Sequence, residues 1–135
     1  MTASFFGCGS EHGIRPSRMW CGLCPTSEQE IFMQFIDASS FSAERPWGAL
    51  DVAEIDNASI RLHWTDEPYV WHINDGPEVF VVLDGTIDMH YRSEGNERVE
   101  LLTPGRICYA ESGDEHVAHP APEARILVIE RKGSI

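Results

Sequence analysis

The apolar positions of this chain change rhythm near Trp47. From there to Glu130, short runs rich in β-branched and aromatic residues fall at 51–55, 59–65, 79–83, 86–91, 99–102, 107–110 and 125–130. The breaks between them carry turn chemistry, among them Asp66-Glu67-Pro68, Asp84-Gly85, Thr103-Pro104-Gly105 and Pro120-Ala121-Pro122. Many short strands with close-spaced turns predict an all-β antiparallel sandwich or barrel. The run Val79 to Leu83 is apolar at every position. If Glu78 points inward, Phe80 and Val82 follow it, and Val79, Val81 and Leu83 face out. A strand apolar on both faces needs cover on both, from the amino-terminal extension, a second sheet or another subunit; a homodimer is the natural expectation.

Before Trp47 the pattern is weaker. Residues 1–25 hold several glycines and prolines and no lasting hydrophobic period. Ser27-Glu28-Gln29-Glu30 fits a capping box ahead of Ile31, Phe32, Phe35 and Ile36, which suits one short helix, although the same apolar residues also suit a strand of the main sheet. The expected organisation is an irregular extension over 1–32 and a β-barrel domain over 33–135. Cys21-Gly22-Leu23-Cys24, with Cys8 and His12 upstream, has the spacing of a small zinc clip; a single such pair is also common as incidental cysteines in a tail, the favoured reading.

The 135 residues are enough for one ordinary domain, and 42% hydrophobic with 24% charged residues reads as globular. A formal net charge of -12 repels phosphate backbones and anionic lipid, which sets nucleic acid and membrane surfaces aside as partners. The longest apolar run is strand-sized, and the amino terminus lacks the basic segment and apolar core of an export signal, so a cytoplasmic address is expected.

Candidate chemistry concentrates in the stretch from Trp71 to Gly85. Asp75-Gly76-Pro77 is a turn, so His72 and Asn74 end one extended segment and Glu78 begins the next. Residues two apart on a strand share a face, and the turn can return Glu78 towards His72 and Asn74. Three donors can therefore converge on one metal ion.

The same stretch resembles the first motif of the cupin family. His72-Ile73-Asn74, three residues, Glu78, six residues and Gly85 match the later half of that motif, with Asn74 where the second histidine is usual. Gly105, five residues, Glu111-Ser112-Gly113, two residues and His116 match the second motif, with Glu111 where a proline is usual. The resemblance covers about residues 45 to 131. It implies a cupin-type double-stranded β-helix, or jelly-roll barrel, and metal ligation by His72, Glu78 and His116 with Asn74 at the fourth position. Two imidazoles and a carboxylate leave coordination positions open and suit Fe, Mn, Ni, Cu or Zn as divalent ions without selecting among them. Asn74 is a weaker donor than imidazole, or else a hydrogen-bonding neighbour of the site.

Other polar residues are candidates for proton transfer. In Arg61-Leu62-His63-Trp64 either pair can face inward; the surface is the favoured place for His63, and an inward His63 would be a pocket base, with Glu111 as the second candidate. Trp64, Tyr69, Trp71, Phe80 and Tyr109 flank the donors and are the expected pocket walls. His119 is expected in a loop and His90 on a solvent-facing strand position. Cys108 reads as a small buried hydrophobe that contacts ligand if it faces the barrel. The expectation is a small metal-binding protein that acts on or binds a small molecule, as a dioxygenase, decarboxylase or isomerase or as a non-catalytic module; a barrel without metal, serving binding or structure, is the alternative.

Overall fold

The computed structural model describes residues 33–134. The helix expected from Ser27 and the group Cys8, His12, Cys21 and Cys24 fall on, or mostly on, residues outside that range. The fold below is that of residues 36–134, which begin with a 3-10 turn at Ala38–Ser40, capped by the Asp37 carboxylate accepting from Ser39 N at 3.1 Å. Seven strands follow: β1 (Gly48–Ile55), β2 (Ala58–Thr65), β3 (His72–Ile73), β4 (Glu78–Ser93), β5 (Asn96–Leu102), β6 (Ile107–Ala110) and β7 (Glu115–Arg131). All their pairings are antiparallel. Among the described residues, no helix is long and apolar enough to cross a membrane.

The strand order is β1-β2-β7-β4-β5, with β3 also beside β7 and β6 beside β4. The 16 residues of β4 and 17 of β7 make them long enough, at about 3.3 Å per residue, to exceed a small domain if straight. They bend together instead. The β4–β7 register shifts between Val82 and Asp84 and again between Gly85 and Ile87, which bends the one seven-stranded sheet so that its two halves act as two facing sheets. One half holds β3, the start of β7, the end of β4 and β5. The other holds β1, β2, the end of β7, the start of β4 and β6. Asp84-Gly85 and Pro120-Ala121-Pro122, expected as breaks between strands, are these bends. Their turn chemistry lets a strand change direction without ending it. For the same reason His119, expected in a loop, sits within β7 opposite Asp88.

The bend has its own chemistry. Gly85 has φ 75, and a Cβ there would overlap the carbonyl oxygen of Glu123 on the neighbouring strand. Arg125 clamps the same corner: Nη1 donates to Asp84 at 2.9 Å and to Glu123 at 3.0 Å, and Nε donates to Phe41 O at 2.7 Å. Its side chain is largely buried, so these charge-assisted bonds are better shielded than surface pairs.

Between the sheets lies one apolar core of Phe80, Val82, Ile87, Met89, Leu102, Ala118, Ala124, Ile126 and Val128. Phe80 and Val82 face inward with Glu78, as the alternation predicts. On the outer face Val79 and Val81 are half-buried and Leu83 is 41% exposed. Each fully buried aliphatic side chain contributes roughly 1.5–3 kcal/mol, so this interior is the main source of stability.

Gly85→Ala is expected to lower stability by roughly 2–4 kcal/mol, because an L side chain there meets both a disfavoured φ and a backbone oxygen. Gly95→Ala, at φ 78 but in open space, is expected to cost only about 1–2 kcal/mol. Urea unfolding of both variants checks the difference, and equal losses would remove the corner from the account.

Candidate metal centre

The short strand β3 sets the site. His72 lies directly opposite His116 of β7, and both rings turn into the barrel with centroids 4.5 Å apart. The chain then leaves β3 through residues 74–77 and returns as β4 at Glu78. That connection is strapped to the 111–114 turn: Asn74 N donates to Asp114 O, and Gly113 N to Asn74 O, both at 2.9 Å. The strap fixes where Glu78 enters the opposite sheet. Its Oε2 lies 3.7 Å from His116 Nε2. One ligand atom from each of His72, Glu78 and His116 lies within 4.8 Å of the others, a span one metal ion can bridge.

Protonation is set by burial. His72 Nδ1 lies 3.0 Å from Val70 O, and a carbonyl can only accept, so Nδ1 donates there and Nε2 is the ring nitrogen left for a ligand. His116 is 3% exposed and its pKa is lowered to about 4, chiefly by desolvation and then by His72. Burial, with Glu130 assisting, raises Glu78 to about 7. At neutral pH the 3.7 Å pair is thus a neutral imidazole beside a partly protonated carboxyl, and not a salt bridge.

The donor set fits a divalent ion. Both ring nitrogens of His116 are buried without a hydrogen-bond partner among the described residues, and so is Nδ2 of Asn74, which is 6% exposed. Buried polar atoms without partners are costly, and an ion that accepts the imidazole lone pair and holds Glu78 ionised relieves part of that cost. Asn74 stands beside Glu78. Its amide favours the charged carboxylate but lacks the geometry of a full hydrogen bond, which is why Nδ2 remains unpartnered.

The three donors open onto a cavity of about 270 Å³. Tyr69 and Phe80 line it. His63 lines it too, which corrects its expected surface place: Arg61 and His63 share the inward face, while the other face of β2 carries Leu62. His63 Nδ1 lies 3.3 Å from Trp47 O, and burial lowers its pKa. Trp64 is turned the other way, bonding Glu123 Oε2 at 3.3 Å, and forms no part of either cavity. Trp71 lies under the Arg92 guanidinium, 4.6 Å from its ring centre, outside both cavities as well. Glu111 is exposed in the 111–114 turn, where its backbone N–H donates to Asp114, and it does not reach the cavity. Tyr109 is 59% exposed and lines a second, open pocket of about 410 Å³, with Met89, Leu102 and Cys108. His90 takes its expected outer face, where Nδ1 meets Glu97 at 2.9 Å beside His119.

Several lining residues escaped the sequence reading, Arg45, Trp47, Arg61 and Glu130 among them. Arg61 follows His63 by strand parity once the inward face of β2 is known. Glu130 continues the inward series Ile126 and Val128 and pairs with Glu78 across β4 and β7. Trp47 gave one signal only, its place just before a glycine. It adopts φ 60, a strained value for so large a residue, and its indole is held by Nε1 donating to Glu67 O at 2.9 Å.

In the ion-free protein, Glu78→Gln is expected to become more stable relative to wild type as pH rises from 5 to 8. The Glu78 pKa is raised on folding, so its contribution is complete below about 4.5 and is lost through about 7. The difference is expected to be on the order of 2–3 kcal/mol across that window. Urea unfolding with a chelator present measures it, and a pH-independent difference would contradict this protonation state.

No protein-family model matches the chain, and no curated protein does. Among solved structures it is similar to a cupin-2 domain containing protein from Shewanella frigidimarina, at 27% identity and TM-score 0.60, covering 70% of this chain and 87% of that one. It is also similar to a cupin superfamily protein from Desulfitobacterium hafniense (15% identity, TM-score 0.59, 70% and 86% covered) and to a protein from Thermus thermophilus (20%, 0.60, 74% and 98%). The last two likenesses bear on the fold alone.

Proposed function

We propose that this chain, a cupin domain by its fold, binds one divalent transition-metal ion through His72, Glu78 and His116 and holds a small molecule beside it in the 270 Å³ cavity. The observation that carries the proposal is the buried convergence of three metal-competent atoms, of which those of His116 lack any other partner among the described residues. Asn74, against Glu78, acts as the group that holds the carboxylate charged and oriented. A bound ion supplies Lewis acidity next to the cavity. The chain's own residues supply the rest: Trp47, Tyr69 and Phe80 exclude water, and His63, uncharged in its buried setting, is placed to accept a proton. Glu111 has no part in this proposal.

The chemistry of the donor set favours an ion over a metal-free polar cluster, because an unfilled cluster leaves His116 unsatisfied at both nitrogens. The protein loaded with Fe(II), Mn(II), Ni(II) or Zn(II) and then desalted is expected to retain about one equivalent of at least one ion. His72→Ala, Glu78→Ala and His116→Ala are each expected to abolish retention. Free ion at a hundred times its dissociation constant is expected to stabilise the wild type by about 2.7 kcal/mol and the variants by nothing measurable. Elemental analysis with thermal melts checks both, and retention of none of the four ions ends the metal reading.

A further inference from the structure

The cavity beside the triad has two unlike walls and a graded distribution of charge. One wall is aromatic: Trp47 and Tyr69 meet edge to face at 5.2 Å, and Tyr69 meets His72 at 5.3 Å, a continuous line of rings from the mouth to the donors. The indole is fixed by its bond to Glu67 O, so this wall is built before any ligand arrives. The other wall is charged. Its cations are outermost: Arg45 is exposed, and the Arg61 side chain is 41% exposed, its Nε donating to Asp51 at 2.8 Å and its other nitrogens without a partner among the described residues. The Glu78 carboxylate lies deep, at 11% side-chain exposure, with Glu130 beside it in register.

Such a gradient orients what enters. An anionic group at the mouth meets guanidinium groups, which can hold a carboxylate in a bidentate fashion. The body between mouth and base is flanked by rings, and flat unsaturated groups pack against rings better than puckered ones of equal size. The chain's net charge of -12 repels anions at long range, so selection of one requires the local arginine pair.

We propose that the cavity takes a small planar carboxylic acid, its carboxylate at Arg61 and Arg45 and its ring or conjugated body along Trp47 and Tyr69, with the far edge towards the triad. This rests on the reading of the cavity as a small-molecule site and gives it a ligand class.

Three probes of nearly equal size separate the terms: benzoate, its neutral isostere benzamide, and the puckered anion cyclohexanecarboxylate. Calorimetric titrations use the full chain, once metal-free and once loaded with Zn(II). Benzoate is expected to bind about tenfold more tightly than either other probe, a difference of about 1.4 kcal/mol. Arg61→Gln and Arg45→Gln are each expected to erase the preference over benzamide. Trp47→Leu is expected to erase the preference over cyclohexanecarboxylate; because that change can disturb the core, Tyr69→Leu serves as the second test of the wall. Equal binding of benzoate and benzamide, equal binding of the two anions, or no binding of any probe at millimolar concentration overturns the proposal. If Zn(II) is retained and no preference appears, this inference falls and the metal site stands. If no ion is retained yet benzoate is preferred, the metal reading falls and the ligand class stands.

Discussion

Everything in this domain depends on two strands bending at the same place. β4 and β7 pair from Glu78 opposite Glu130 to Tyr91 opposite His116, and on the way both cross from one sheet to the other. Two chains can turn that corner side by side only if one offers no side chain where the other's backbone passes, which Gly85 does against Glu123. Arg125 then ties the corner to Asp84, Glu123 and Phe41 O. With the corner fixed, the register is fixed along both arms, and with it the set of side chains that faces inward.

The site is a consequence of that register. His116 heads β7 in one sheet and Glu78 heads β4 in the other, so a ligand set that spans the two sheets can form only at the end of the barrel where both strands begin. β3 adds His72 opposite His116, and the strap between residues 74–77 and 111–114 keeps the two entry points together. The three donors are thus positioned by backbone hydrogen bonds, with few bonds among themselves. That arrangement holds a carboxyl and two imidazoles close together in a poorly solvated place, which raises Glu78 and lowers His116 at once. Both shifts come chiefly from desolvation and favour the neutral forms, so Glu78 and His116 meet with little charge between them.

How much of this was legible depends on whether the signal was local. Metal-competent residues around a turn are local, so His72, Asn74 and Glu78 could be named from the chain, and His116 through the resemblance of its stretch to the second cupin motif. Strand positions were mostly legible too, because β-branched runs between turn residues mark them. Which face of a strand looks inward is not local. It is decided by the neighbour's register, so Arg61, His63 and Glu130 could not be placed until β2 was paired with β7 and β7 with β4. Proximity in sequence misled for the aromatics: Trp71 is next to His72 but precedes β3, and its ring ends beside Arg92 instead of in the cavity. Turn residues misled at Gly85 and Pro120–Pro122 because the same chemistry serves a turn and a bend.

Asn74 now has a physical account. An imidazole at that position would be a fourth strong donor, would add a second bulky ring beside Glu78, and would favour a saturated, closed coordination. An amide is smaller and neutral at every pH. It stabilises the carboxylate without competing for a proton, in a place where Glu130 already opposes ionisation. The exchange weakens the hold on an ion and leaves more of the coordination sphere facing the cavity. On the metal reading proposed above, three donors with an amide against the one carboxylate would give up affinity for open positions, and open positions would serve a second molecule brought beside the ion.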